Sequence, residues 1–288
     1  MAGELIAQHL RGCRSVLFLT GAGVSTSSGI PDYRSPGRLP YRPLQHAEFV
    51  ASAAVRQRYW ARSYLGWPRM RDAQPNASHA ALVRLQALGL CAQLITQNVD
   101  SLHLKAGHPS VLQLHGTLFE VECLQCGAPL LCRNALQARM AAANAAWTQR
   151  FASAAVQRPD GDMELPAESY PLFATPRCSA CGGEQLKPAV TFFGGNVPVG
   201  VVQASLRLAA EADAVVVAGS TVSTFSAFRL VRGVAERGRP VVVVKRGGVG
   251  RADALATLLV EEEVGEALAG LAAALGGGAQ QDALSAAQ

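Results

Sequence analysis

No apolar run in this sequence approaches the ~18 residues that a membrane-spanning helix requires, so a helical membrane protein is not expected. The opening residues, Met1-Ala2-Gly3-Glu4-Leu5, lack a basic segment followed by an apolar core, and Arg and Ser are sparse before the first strand-like run. Neither a secretory signal nor a transit peptide is therefore expected. Blocks of like charge are also missing: 26 Lys and Arg against 21 Asp and Glu give a net charge of +5, but they are scattered. That scatter describes an ordinary basic surface and argues against a nucleic-acid partner. The seven cysteines are an odd number, which argues for thiols and metal ligands in a cytoplasmic chain over a disulfide framework. Charged residues make up only 16% and hydrophobic ones 49%, so the 288 residues can bury a sizeable core.

Short apolar runs recur at 15–20, 92–96, 214–218 and 240–244, separated by stretches of helical composition at 78–88, 201–212 and 227–237. Strands alternating with helices imply right-handed crossovers and a parallel sheet covered on both faces. The expected fold is thus α/β, a Rossmann-like domain formed by 1–38, 86–120 and 186–275. A smaller inserted domain comprises a helical segment at 39–85 and a metal-binding module at 121–185. The small, polar tail 276–288 is expected to be disordered.

The first run ends in Gly21-Ala22-Gly23-Val24-Ser25, a turn whose amides can approach a pyrophosphate at a helix start. Alone the signal is weak, because Thr26 stands where the dinucleotide fingerprint carries its third glycine. Cys123-Leu124-Gln125-Cys126 and Cys178-Ser179-Ala180-Cys181 are a stronger one. Two Cys-x-x-Cys knuckles, each followed by glycine, supply four thiolates that fill a tetrahedral Zn2+ shell, so the metal is expected to be single and structural. Of the remaining cysteines, Cys91 reads as a core residue.

The remaining polar signals are Ile30-Pro31-Asp32-Tyr33-Arg34, Thr96-Gln97-Asn98-Val99-Asp100-Ser101-Leu102-His103 and Leu114-His115-Gly116. Polar groups beyond the carboxyl ends of parallel strands face the crevice in which such sheets bind ligands. With Gly-Ala-Gly-x-Ser before them, Lys187-Pro188-x-Val190-x-Phe192-Phe193-Gly194 and Gly219-Ser220-Thr221 after them, and the paired knuckles between, these blocks stand in the order found in sirtuins. The sequence resembles that family from about Glu4 to Leu275. Arg56-Gln57-Arg58-Tyr59-Trp60-Ala61-Arg62, Gly66-Trp67-Pro68 and Pro159-Asp160-Gly161-Asp162 resemble its class II branch.

The resemblance implies an NAD-dependent protein-lysine deacylase acting on acyl-lysine proteins as a monomer. The acyl oxygen attacks the ribose carbon bearing nicotinamide, and the acyl group passes to ADP-ribose. Protein mono-ADP-ribosyl transfer at the same site is the alternative. His115 is the implied base and Asn98 its catalytic partner. Gly21, Ala22, Gly23, Gly219, Ser220 and Thr221 are implied around the pyrophosphate. Asp32, Tyr33 and Arg34, with Gln97, Asn98, Val99 and Asp100, are implied around the nicotinamide half. Phe193, Gly194, Gly195, Asn196 and Val197 are implied to receive the substrate, Phe193 against the lysine stem, while Phe192 reads as core. Lys245-Arg246 replaces an Asn that in the family reaches the adenosine ribose, and Lys245 or Arg246 is expected to supply a substitute contact. Ala189 and Gly195 also depart from the family pattern, which bears on peptide affinity. The class II likeness favours a long or bulky acyl chain, although Tyr59-x-x-Arg62 has the spacing class III members use for acidic ones.

Overall fold

Runs of Val, Leu, Ile and Ala become the strands of one sheet, and they do so in a computed structural model that describes residues 1–32, 42–157 and 163–285. Helix α1 (Ala2–His9) precedes strand β1 (Val16–Thr20), followed by α2 (His46–Ala51), α3 (Ala53–Asp72) and α4 (Ala77–Ala87). Next come β2 (Cys91–Thr96), α5 (Leu102–Lys105), β3 (Val111–Gln113), β4 (Gly116–Cys123) and β5 (Leu131–Cys132). Helices α6 (Arg133–Ala143) and α7 (Ala145–Phe151) lead to β6 (Val156–Gln157), β7 (Met163–Glu164) and β8 (Leu186–Val190). The chain ends with α8 (Val199–Glu211), β9 (Ala214–Ala218), α9 (Phe225–Ala235), β10 (Val241–Lys245), β11 (Leu258–Glu261) and α10 (Val264–Ser285).

Six strands form a parallel sheet in the order β11-β10-β9-β1-β2-β3. The order reverses direction between β1 and β9, which makes their carboxyl ends the switch point where a ligand crevice opens. Alternation along each strand feeds two faces. Val16, Phe18, Leu94, Val216 and Val242 pack under α1, α4 and α10 with Ile6, Leu82, Leu85 and Leu268. Leu17, Leu19, Ile95, Val215 and Val243 pack against Ala209 of α8 and Leu230 and Val234 of α9.

The smaller unit has its own core. Trp60, Tyr64 and Phe49 meet Leu136, Met140, Trp147, Phe151 and Phe173 there, beside the antiparallel sheet β5-β4-β8. Its link to α3 depends on Pro68, which lies inside that helix and cannot donate to the carbonyl four residues back. The freed carbonyl of Tyr64 accepts instead from Nε2 of Gln137 on α6 at 2.9 Å. Arg133, 2% exposed, adds a cation over the Trp67 ring at 4.6 Å and donates to the Ser63 carbonyl.

Three expected boundaries move. Helix α4 belongs to the main core, not to the inserted segment ending at 85, because Ala81, Leu82 and Leu85 share a cluster with Leu268 and Leu271. The boundary expected at 120 falls inside the continuous strand β4. β8, expected to start the last Rossmann segment, pairs antiparallel with β4. The tail from 276, expected to be disordered, is helical as far as Ser285: α10 runs through Gly276-Gly277-Gly278. The Ala-rich run preceding these glycines favours helix strongly enough to carry it past them.

Gln137→Ala strands the Tyr64 carbonyl without its partner. Urea unfolding of this variant is expected to show a loss of about 1–2 kcal/mol, the cost of leaving a partly buried acceptor unpaired.

Candidate active site

The carboxyl ends of β1, β2, β3 and β9 carry the polar segments singled out in the sequence, and the sheet order brings them together. Beyond β1, Gly23 donates from its backbone to the Gly219 carbonyl at 2.9 Å, locking the first loop to the loop beyond β9. The approach leaves no room for side chains. A Cβ on Gly23 would lie 2.8 Å from the Gly219 Cα, and a Cβ on Gly219, whose φ is +62°, would lie 2.6 Å from the Val24 nitrogen. Ala22 starts a turn of 3-10 helix beside this contact. Ser220 Oγ accepts from Gln97 Nε2 at 2.8 Å and from the Val222 amide at 3.0 Å. Val222 has a positive φ of 49°, a costly conformation for a β-branched residue, and its buried side chain in the core holds it there.

The segment beyond β2 is knitted to the first loop. Asn98 Nδ2 donates to the Gly21 carbonyl at 3.1 Å and to Ser25 Oγ at 3.0 Å. Ser25 in turn donates to the buried carboxylate of Asp100 at 2.7 Å. The other Asp100 oxygen accepts from the Leu102 amide at 2.9 Å, and the Val99 carbonyl accepts from the Leu118 amide at 3.0 Å. Below them His103 Nε2 meets Thr20 Oγ1 at 3.0 Å, its ring 4.8 Å from that of His79. Burial, with the neighbouring His79 and His108, pushes the His103 pKa down to about 3, so this ring stays neutral.

His115 lies where β3 hands over to β4. Its Nδ1 is 3.1 Å from the Gln97 carbonyl, which can only accept, so Nδ1 carries the hydrogen and Nε2 is the basic atom. Nε2 is 2.9 Å from Ser226 Oγ. Burial pushes the His115 pKa below the ordinary imidazole value, partly offset by the bond to Gln97. A base must be neutral to act, so the lowered pKa keeps His115 competent to a lower pH than a free imidazole.

The four cysteines converge at the other end of β4. Their sulfurs all lie within 4.8 Å of one another, with Cys123–Cys181 and Cys126–Cys178 each at 3.8 Å. That separation is far beyond a disulfide and equals the edge of a tetrahedron of about 2.3 Å radius, the Zn–S bond length. The residues therefore fit a structural Zn2+ with no open position. Backbone amides of Cys181 and Ala180 aimed at the Cys178 sulfur pull its pKa down to about 7, which favours the thiolate a metal needs. The four thiolates complete that shell among themselves, and His115 precedes the opposite end of β4, so His115 is not a ligand.

The Sir2 family profile matches residues 21–226. The chain belongs to the Sir2 family. It is 46% identical over 268 residues to the NAD-dependent protein deacetylase 2 of Bradyrhizobium diazoefficiens, covering 92% of this chain and 94% of that one. It is 43% identical over 260 residues to the mitochondrial NAD-dependent protein lipoamidase sirtuin-4 of Bos taurus, with 88% and 81% covered. A solved complex of Sir2, a p53 peptide and NAD+ superposes with a TM-score of 0.74 at 26% identity, covering 93% of this chain and 96% of that one.

In this sirtuin the expected residues do not all fall in the crevice. Lys245, expected to reach the adenosine ribose, is 4% exposed on its side chain, and its Nζ sits 2.5 Å from Asp253 Oδ2 with a second bond to the Gly248 carbonyl. A buried ammonium needs a carboxylate, and once paired it pins the 247–253 loop instead of reaching outward. That loop rests on Thr221, whose carbonyl accepts from the Arg251 amide at 2.9 Å. Asp32 is half-buried, while Tyr33 and Arg34 lie outside the described residues, as does the 159–162 block. Phe193 is exposed, its carbonyl accepting from the His46 amide at 2.8 Å, and Gly194 to Val197 run on without regular structure. Phe192 packs on Phe49 and Tyr59, as expected of a core residue. Cys91 is likewise buried in the main core.

Sequence reading missed Ser25 as the link between Asn98 and Asp100, and Thr224 and Ser226 around the base. Ser25 belongs to the quoted loop motif, which does not reveal its partners, and Thr224 and Ser226 carry no spacing signal that would mark them.

Gly219→Ala is expected to weaken NAD binding by tenfold or more in a calorimetric titration, because the added Cβ drives the two loops apart. Cys178→Ser is expected to lower bound zinc, read by elemental mass spectrometry, from one ion per chain to well below one, with loss of the small domain's near-ultraviolet signal from Trp147.

Proposed function

We propose that this chain is an NAD-dependent protein-lysine deacylase that transfers the acyl group to ADP-ribose and releases nicotinamide. The observation that carries the reading is the neutral His115 ring, tied through Nδ1 to Gln97 and thereby placed one residue from Asn98. NAD supplies the ribose carbon that the acyl oxygen attacks. Gly21, Ala22 and Gly23, with Ser220 and Thr221, line the crevice for its pyrophosphate, the glycines letting the backbone come close. Asn98 and Asp100 orient the ribose and carboxamide, Asp32, Tyr33 and Arg34 act on the same nicotinamide half, and the exclusion of water there protects the intermediate. His115 Nε2 takes the proton of a ribose hydroxyl, whose oxygen then attacks the acyl carbon. The acyl-lysine enters past Phe193 and pairs along Gly194, Gly195, Asn196 and Val197, as a strand adds to an open edge.

A long or bulky acyl group is the preferred substrate in this reading. The bovine relative is named a lipoamidase, and Arg62 already has a carboxylate of its own chain beside it. Its Nε donates to the Met163 carbonyl at 3.1 Å and lies 3.9 Å from Glu164 Oε2. We place the protein in the cytoplasm as a monomer; among the described residues no helix is long and apolar enough to cross a membrane.

A panel of acetyl, long-chain, lipoyl and succinyl peptides with NAD tests this. The wild-type chain is expected to form O-acyl-ADP-ribose, fastest with a long acyl group. His115→Ala is expected to lose roughly 100-fold or more of that turnover. ADP-ribose retained on protein, with no O-acyl product by mass spectrometry, would contradict deacylation.

A further inference from the structure

The basic atom of His115 is not open in this structure. Its Nε2 lies 2.9 Å from Ser226 Oγ. Because Nδ1 already donates to the Gln97 carbonyl, the neutral ring offers Nε2 as an acceptor, and the Ser226 hydroxyl is the donor. That same hydroxyl is 3.3 Å from Thr224 Oγ1, and Thr224 Oγ1 is 3.5 Å from Gln97 Oε1. Ser226 thus has one hydrogen and two acceptors. The chain of groups returns to Gln97, which closes a ring around the imidazole.

Thr224 gives a second reason to regard this as a built arrangement. It is the N-cap of α9, the position where a threonine ordinarily accepts from an amide of the first turn, yet its side chain makes no capping bond. The hydroxyl is turned instead toward Ser226 and Gln97. Positive charge on His115 is also unwelcome: the site is desolvated, and the ring faces the first turn of α9, whose free amides oppose a cation. No charged side chain contributes to the shift of this histidine.

We infer that Ser226 is a positioning residue for the base, satisfying Nε2 of His115 in both of its protonation states, with Thr224 receiving the Ser226 hydrogen when the ring is charged. This rests on the deacylase reading above. At rest the Ser226 O–H donates to Nε2. An arriving ribose hydroxyl takes that place, and the Ser226 hydrogen turns to Thr224. The ribose proton then moves to Nε2, the ribose oxygen keeps its electron pair and bonds to the acyl carbon as that carbon's π bond to the lysine nitrogen opens and its pair passes to nitrogen, and the new N–H donates to Ser226 Oγ. No proton travels along the hydroxyls; they only turn. An imidazolium with an acceptor is stabilised more than a neutral ring with a donor, because hydrogen bonds to ionised groups are the stronger ones.

Ser226→Ala, Ser226→Thr and Thr224→Val in the full chain test the inference. Two rates are compared: turnover of an acyl peptide with NAD across pH, and exchange of labelled nicotinamide into NAD. Exchange reports the step that precedes proton removal by His115. For Ser226→Ala we expect kcat to fall about tenfold and the acid limb of its pH profile to move down by about one pH unit. The KM for NAD and the exchange rate are expected to stay within about twofold of wild type. Ser226→Thr, which keeps the hydroxyl, restores turnover, and Thr224→Val falls between. Wild-type kcat and an unmoved acid limb in Ser226→Ala would overturn the inference, as would exchange falling in parallel with turnover, the mark of a merely structural role. A wild-type chain that releases no nicotinamide with any acyl peptide would overturn the deacylase reading itself, and this inference with it.

Discussion

The backbone contact between Gly23 and Gly219 is the constraint on which the site depends. β1 and β9 are neighbours in the sheet, and their following loops must bend over the same edge without room for side chains. With those loops pressed together, both border one crevice at the switch point. Gln97 then bridges them, its side chain reaching Ser220 and the Thr20 carbonyl and its backbone holding His115. His115 is therefore aimed by the same residue that ties the second strand to the two loops. Displacement of either loop propagates to the imidazole through hydrogen bonds, not through packing alone.

The inserted unit serves this edge from the other side. β4 starts at Gly116, next to the base, and ends at Cys123, so one strand joins the reacting centre to the metal site. Zinc fixes the far end, while β8 pairs along β4 and continues into Phe192 and Phe193. The aromatic floor formed by Phe49, Tyr59 and Phe192 is followed directly by the exposed Phe193, where the proposed acyl-lysine would enter. A structural ion remote from the chemistry thus contributes by holding a strand whose other end carries the base.

Much of this was legible in the residues, and the limits have physical causes. The buried strands were readable because parallel strands covered on both faces become continuous apolar runs, and Ala214–Ala218 falls where it was expected. The knuckles were readable because four thiolates in that spacing serve few purposes besides metal binding. Helix α4 was misplaced because its amphipathic pattern does not say which of two cores it covers. Lys245 was given to the cofactor because it stands where the family carries an Asn facing the adenosine ribose, and only coordinates show Asp253 reaching back to it across the loop. Thr224 and Ser226 left no mark, and Ser25 stood in the loop motif without its link to Asp100 being visible, since a hydroxyl's role becomes readable only when its partner is known.

The central claim is that NAD lies across the β1–β9 switch point with its phosphates on the paired loops and its ribose facing His115. Amide chemical shifts followed by NMR during titration with NAD test it most directly. The account predicts that the largest changes fall on Ala22, Gly23, Ser220 and Thr221, with the ring of His115 also responding. Silent amides in both loops, with the changes concentrated elsewhere on the chain, would contradict it.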